Sequence, residues 1–228
     1  MKKFDNIEAI LFDLDGTLFE TAPELSDAVN LMLKDLEMME LKRNEIKKFI
    51  GKGAENLIKQ SLRLSSKKDP SPLFAKAKKL FAHHYSLISA NSLMFDGVKR
   101  AIIYLKSKDF LLGCVTNKPA IYTEALMNKS RLIEFMDVIV SGDTTKKKKP
   151  DPLPILHALN QINIEPKNAI MVGDSIVDIE AGFAAGTHIF TVPYGYQFGE
   201  TIISESFFRF NDLSAIKSAE LPEFTTST

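Results

Sequence analysis

Two aspartates, Asp13 and Asp15, stand one residue apart behind the apolar run Ala9–Phe12 and ahead of Gly16-Thr17. Carboxylates this close repel each other unless a positive group lies beside them. A hard divalent cation such as Mg²⁺, which takes oxygen ligands, relieves that repulsion. Gly16-Thr17 then offers backbone donors next to the acids. The competing reading is a solvated acidic turn that caps a helix. The wholly apolar approach to Asp13 weighs against it.

Three further clusters carry chemistry of a matching kind. Thr116-Asn117-Lys118 follows an apolar run containing Cys114, and a hydroxyl and an amide there could donate hydrogen bonds to a phosphate. The same pair is also an ordinary helix cap. In the run Lys146–Lys149, the first three lysines read as a solvated face. Lys149 differs, because Pro150 restricts its backbone just before a helix start, so it could deliver a point charge to a phosphate and to a nucleophile. Finally, Asp174 and Asp178 lie one helical turn apart after the apolar stretch Asn168–Val172, like the corner of a metal site. Ser175 could cap the same helix.

Each cluster needs an element to place it. Ile7–Asp13, Lys108–Thr116, Met136–Ser141, Asn168–Gly173 and the shorter Thr187–Val192 read as buried strands, most of them followed by helical patterns. Repeated strand–helix units imply an α/β fold with a doubly wound parallel sheet, and open sheets of this kind bind ligands at the carboxyl ends of their strands. The stretch from Phe19 to Leu93 breaks the alternation and has no convincing strand. Leu25, Ala28, Val29, Met32 and Leu33 follow helical spacing, as do Phe74, Ala77, Lys78, Phe81 and Tyr85. Ser65–Pro72 is expected to be a loop. The expectation is an all-helical cap at residues 19–93 inserted into a core formed by residues 1–18 and 94–228, with the return marked by Asp96-Gly97. The polar stretch Ser218–Thr228 is expected to be loosely held.

Bulk properties narrow the partners. The 228 residues are 45% hydrophobic and 25% charged, with 29 basic and 29 acidic side chains. Zero net charge provides no long-range attraction for nucleic acid or an anionic membrane, so an anionic ligand must be held by local groups. Cys114 is the single cysteine, expected as a buried small hydrophobe. No secretory signal is visible and no run approaches the roughly 20 apolar residues that span a bilayer, so a cytoplasmic protein is expected.

Taken in order, the four clusters resemble the signature of the haloacid dehalogenase superfamily. That resemblance implies a parallel-sheet core with a helical cap after the first cluster. It makes Asp13 the nucleophile that forms an aspartyl-phosphate and Asp15 the acid/base. Thr116 and Asn117 would grip phosphoryl oxygens, and Lys149 would neutralise charge between nucleophile and phosphate. Mg²⁺ would be bound by Asp13 and Asp174, by Asp15 through its carbonyl, and by Asp178 directly or through water. The dehalogenase branch lacks the second aspartate, so Asp15 favours phosphoryl transfer.

Within the superfamily the chain looks most like bacterial phosphoglycolate phosphatases, on Ile50-Gly51-Lys52-Gly53-Ala54, Ser141-Gly142-Asp143-Thr144 and Pro193-Tyr194-Gly195-Tyr196. Lys52, or a backbone amide beside it, would meet a substrate carboxylate, although the loop also reads as a plain helix–helix turn. Met94–Val98 carries Asp96 where that group often has proline, and Arg63–Pro72 is not matched to that group. A phosphatase of the same branch for a nucleotide, pyrophosphate or sugar phosphate, a sugar phosphomutase and a silent relative that binds a phosphorylated ligand remain alternatives. His83 and His84 are expected to be structural or exposed.

Overall fold

The computed structural model describes residues 6–66 and 69–196, together with the backbone of a short strand at Phe208–Arg209. The expected loose tail, Ser218–Thr228, lies outside the described residues. Strand β1 (Ala9–Phe12) is buried along its whole length, as a continuous apolar run should be when both faces of a parallel sheet are covered. It pairs in parallel with β4 (Leu111–Val115) on one side and β6 (Ala169–Gly173) on the other, with Ala9 opposite both Leu111 and Ala169. β5 (Val138–Val140) extends the sheet beyond β4. β7 (His188–Thr191) and β8 (Phe208–Arg209) extend it beyond β6, giving the order β5-β4-β1-β6-β7-β8.

Side-chain alternation along β1 divides the core. Ile10 and Phe12 pack with Ala101, Ile102 and Leu105 of α5 (Val98–Lys106) and with Leu126 and Met127 of α6 (Ala120–Lys129). Ala9 and Leu11 point the other way, into Ile155, Ala158 and Leu159 of α7 (Leu153–Gln161) and Ala181 and Ala185 of α8 (Ile176–Ala185). Each large apolar side chain so enclosed contributes about 1.5–3 kcal/mol relative to exposure. The sheet is thus wound on both faces, and Cys114 is a buried free thiol within it, as expected.

Between β1 and α5 the chain forms α1 (Ala22–Asp35), α2 (Arg43–Lys47), α3 (Ala54–Ser66) and α4 (Ser71–Ile88). These helices share an apolar cluster of their own, including Leu25, Val29, Met32, Leu57, Phe81 and Tyr85. All five α1 positions at helical spacing are buried, whereas Lys78 on α4 is exposed and pairs with Glu55 at 2.5 Å. His83 is exposed, and His84 meets Asp35 at 2.7 Å.

The expectation of no strand from Phe19 to Leu93 is corrected. β2 (Phe19–Glu20) and β3 (Leu93–Met94) pair antiparallel where the helical insertion leaves and rejoins the sheet. Two residues per strand are too few to leave an alternating pattern. The return turn falls where Asp96-Gly97 suggested, with Gly97 at φ 83° and Val98 N donating to Phe95 O at 3.2 Å.

Candidate active site

Neighbouring parallel strands end together, and the residue after each end becomes a neighbour in space. Asp13 follows β1, Thr116 follows β4, and Asp174 follows β6. Lys149 enters from the loop between β5 and α7, and Asp178 from the first turn of α8. The Lys149 ammonium joins these parts. It donates to Asp13 Oδ1 at 2.8 Å, to Asp178 Oδ1 at 2.6 Å and to Val115 O at 2.6 Å, so all three of its N–H groups have acceptors. Lys146, Lys147 and Lys148 are exposed while Lys149 is buried, as Pro150 suggested.

Asp178 uses both oxygens within the protein. Its Oδ2 accepts from Ser175 N at 3.1 Å and from Ser175 Oγ at 2.7 Å, a reciprocal cap that fixes the start of α8. Asp174 is held by its surroundings. Its Oδ2 accepts from Tyr196 N at 2.5 Å, and a Cβ added at Gly16 or Gly195 would fall 2.3 Å or 2.1 Å from Asp174 atoms. Gly16 also sits at φ +86°, so glycine there answers both to the turn and to the close approach. The Gly16 and Thr17 amides bond to Phe19 O and Leu14 O within the turn, so they do not point at a ligand.

Oxygens of Asp13, Asp174 and Asp178 lie within 4.8 Å of one another, and all three residues are buried. Counting Asp15, four carboxylates face only two ammoniums, Lys149 and Lys118, and that excess of two negative charges suits one divalent cation. The titration behaviour agrees. Burial lifts Asp13 to about 7; Lys149 opposes the rise, while Asp178 and Asp15 add to it. Burial first, then Asp178 and Asp13, holds Asp174 well above the usual carboxylate range. Burial by itself would lower Lys149, but Asp13 and Asp178 reverse that and hold it above the ordinary lysine value. Lys149 thus shifts upward as an ion pair requires, whereas Asp13 rises because burial outweighs the pull of the ammonium. The ammonium is divided between Asp13 and Asp178, which limits how far it can offset that burial.

Beside this cluster, Asp15 Oδ1 accepts from Lys118 Nζ at 2.9 Å, and Lys118 also donates to the Tyr85 hydroxyl of α4. A cavity of about 440 Å³ opens here between the strand ends and the helical insertion. Asp13, Asp15, Thr116, Asn117 and Lys118 line it from the sheet side, and residues including Gly51, Leu57 and Tyr85 from the helices.

The sequence candidates meet different fates in this geometry. Asp13, Asp15, Thr116, Lys149, Asp174 and Asp178 gather at one end of the sheet. Thr116 lines the cavity, and its hydroxyl accepts from Lys118 N at 3.2 Å. Asn117 lines the cavity, but its amide is engaged: Oδ1 with Lys149 N, and Nδ2 with Lys149 O and Gly51 O. Lys52 is exposed and absent from the lining, whereas Gly51 and Gly53 on either side line it. Sequence reasoning gave no role to Lys118, although it stands next to Asn117, nor to Tyr85. The sequence signal was adjacency alone, which does not separate a buried ammonium from a surface one.

A family model for haloacid dehalogenase-like hydrolases matches residues 10–192, and the chain belongs to that family. Its relatives include proteins named phosphoglycolate phosphatase. That of Nitrosospira multiformis is 42% identical over 198 residues, covering 86% of this chain and 87% of the relative. That of Thiobacillus denitrificans is 38% identical over 205 residues, covering 89% and 90%. Among solved structures, a predicted phosphoglycolate phosphatase from Haemophilus somnus superposes with TM-score 0.86 at 28% identity, covering 93% of this chain and 97% of that one. CbbY from Rhodobacter sphaeroides, solved with phosphate, gives TM-score 0.78 at 27% identity, covering 92% and 96%. The chain is accordingly a phosphatase enzyme. Among the described residues, no helix is long and apolar enough to cross a membrane.

Proposed function

We propose that this chain hydrolyses 2-phosphoglycolate to glycolate and phosphate through an aspartyl-phosphate on Asp13, with Mg²⁺ as cofactor. The observation that carries the reading is the Asp13 carboxylate, which lines the cavity and lies 2.8 Å from Lys149 beside two further buried acids. An anionic nucleophile attacks an anionic phosphate poorly unless charge around both is neutralised. Mg²⁺ supplies part of that neutralisation, with the Asp13 and Asp174 carboxylates and the Asp15 carbonyl as its protein ligands. Asp178 acts at one remove, since Lys149 and Ser175 occupy its oxygens.

In the first half-reaction an Asp13 oxygen attacks phosphorus while Asp15 gives its proton to the departing alkoxide oxygen. In the second, Asp15 takes a proton from the water that attacks the phospho-aspartate, and phosphate leaves. Lys149 balances charge on Asp13 and the transferring oxygens, and the Thr116 hydroxyl donates to one of them. Asn117 serves by holding Lys149. Around this centre we assign residues 1–18 and 94–228 to a catalytic core and residues 19–93 to a cap that closes over the substrate. The partner is a small phosphorylated metabolite rather than nucleic acid or membrane, and the protein works in the cytoplasm. The phosphoglycolate phosphatase names of its relatives support the choice of substrate.

A panel of phosphate esters assayed with Mg²⁺ tests this reading. The highest kcat/KM is expected for 2-phosphoglycolate, with activity lost in EDTA and regained on adding Mg²⁺. A nucleotide or sugar phosphate turned over faster, or activity indifferent to chelation, contradicts it.

A further inference from the structure

We propose that Lys118 is the specificity-determining anchor of the active site, binding a carboxylate on the leaving-group side of the substrate. Lys118 is the single cationic side chain in the lining of the cavity among the described residues, and only 4% of it is exposed. Its ammonium has three N–H groups, of which Asp15 Oδ1 and the Tyr85 hydroxyl take two. The third has no acceptor among the described residues and is available to a ligand. Around it the cavity is largely apolar, with Leu25, Leu57, Phe81 and Pro119 in the walls. In such surroundings a hydrogen bond from an ammonium to a carboxylate is strong, because little water competes for either group.

Position selects the part of the substrate that Lys118 meets. This step rests on the proposed function, in which Asp15 protonates the ester oxygen. Lys118 Nζ lies 2.9 Å from the Asp15 carboxylate, so it meets groups attached next to that oxygen. In a phosphorylated 2-hydroxy acid the carboxylate is bonded to the same carbon as the ester oxygen, which brings it to the ammonium. The N-terminus of α3 adds positive potential from the helical insertion, where Gly53 and Ala54 line the cavity. An ammonium already shared with Asp15, with one N–H left, matches a single carboxylate better than the dianion of a second phosphoryl group. Tyr85 comes from α4, so the anchor also ties the helical insertion to Asp15.

The test compares kcat/KM for 2-phosphoglycolate, for ethyl phosphate, in which a methyl group replaces the carboxylate, and for fructose 1,6-bisphosphate, which carries a second phosphoryl group. The unaltered enzyme is expected to prefer 2-phosphoglycolate over ethyl phosphate by about 10- to 100-fold, the range of a charged hydrogen bond. Lys118→Met is expected to reduce that preference to a few-fold, and Lys118→Arg to keep most of it. A preference that survives Lys118→Met, or none in the unaltered enzyme, overturns the assignment. A preference for the bisphosphate shows that the anchor takes a phosphoryl group, and overturns it too. If Lys118→Met fails to fold, the preference of the unaltered enzyme decides. If no ester is hydrolysed, the phosphatase reading fails instead, and the anchor is judged from the affinities of Asp13→Asn protein for 2-phosphoglycolate and ethyl phosphate.

Discussion

Asn117 holds Lys149 through both ends of one amide, its Oδ1 accepting from Lys149 N at 2.9 Å and its Nδ2 donating to Lys149 O at 2.8 Å. The same Nδ2 reaches Gly51 O at 3.0 Å, which ties the loop before α3 to Lys149. Asn117→Ala should let the Lys149 backbone drift. Displacement of a charged group by about 1 Å lowers kcat by roughly 100-fold. Unpairing the buried Lys149 amide should lower stability by about 1–3 kcal/mol. Steady-state kinetics and urea melts measure both, and an unchanged kcat would remove Asn117 from the positioning of Lys149.

The buried acids predict how stability depends on pH without metal. Asp13 titrates at about 7 against an ordinary 3.8, and Asp174 shifts the same way. A carboxyl with a raised folded pKa binds its proton more tightly when folded. Its contribution is therefore fully present below the ordinary value and is lost as pH rises toward 7. Lys149 titrates above its ordinary value and stays charged throughout this window. The metal-free protein should lose thermal stability between about pH 4 and pH 7, and the gain in Tm from Mg²⁺ should be larger at about pH 8 than at about pH 5. Melting curves with Mg²⁺ and with EDTA test the sign. A Mg²⁺ effect that grows toward low pH contradicts it.

Gly16 predicts a substitution that separates metal binding from general stability. At φ +86°, with its added Cβ 2.3 Å from Asp174 Oδ2, Gly16→Ala must displace a proposed metal ligand as well as strain the backbone. Gly186 has a similar φ of +82° at the end of α8, but its nearest contact would be Pro166 Cβ at 3.8 Å. Both alanine variants should lose about 1–3 kcal/mol of stability from backbone strain. Only Gly16→Ala should raise the Mg²⁺ concentration needed for half-maximal activity, by roughly 10-fold or more. Equal Mg²⁺ dependence in the two variants would separate Gly16 from the metal.

The strands that carry the chemistry are legible because a strand covered on both faces leaves an uninterrupted apolar run, as Ala9–Phe12 and Ala169–Val172 do. The acids just beyond such runs come together once the strands are neighbours. Lys149 stands out from the lysines before it through Pro150, and it alone of the four is buried. The ribbon of β2 and β3 is not legible, since Phe19–Glu20 and Leu93–Met94 have no periodicity to detect. For Lys118 the obstacle is different: its ammonium is buried against Tyr85, 33 positions earlier on α4. The loop around Lys52 could be found from its glycines, but the outward direction of that side chain depends on how α2 and α3 pack.

The role of Asp13 is tested most directly by turnover of 2-phosphoglycolate with Asp13→Asn in saturating Mg²⁺. The amide keeps the shape of the side chain but loses its negative charge and its nucleophilic oxygen. The expected result is a fall in kcat of about 10⁴-fold or more, with a folded protein whose metal-free Tm is not reduced. A kcat within about tenfold of the unaltered enzyme would contradict the assignment of Asp13 as the attacking group.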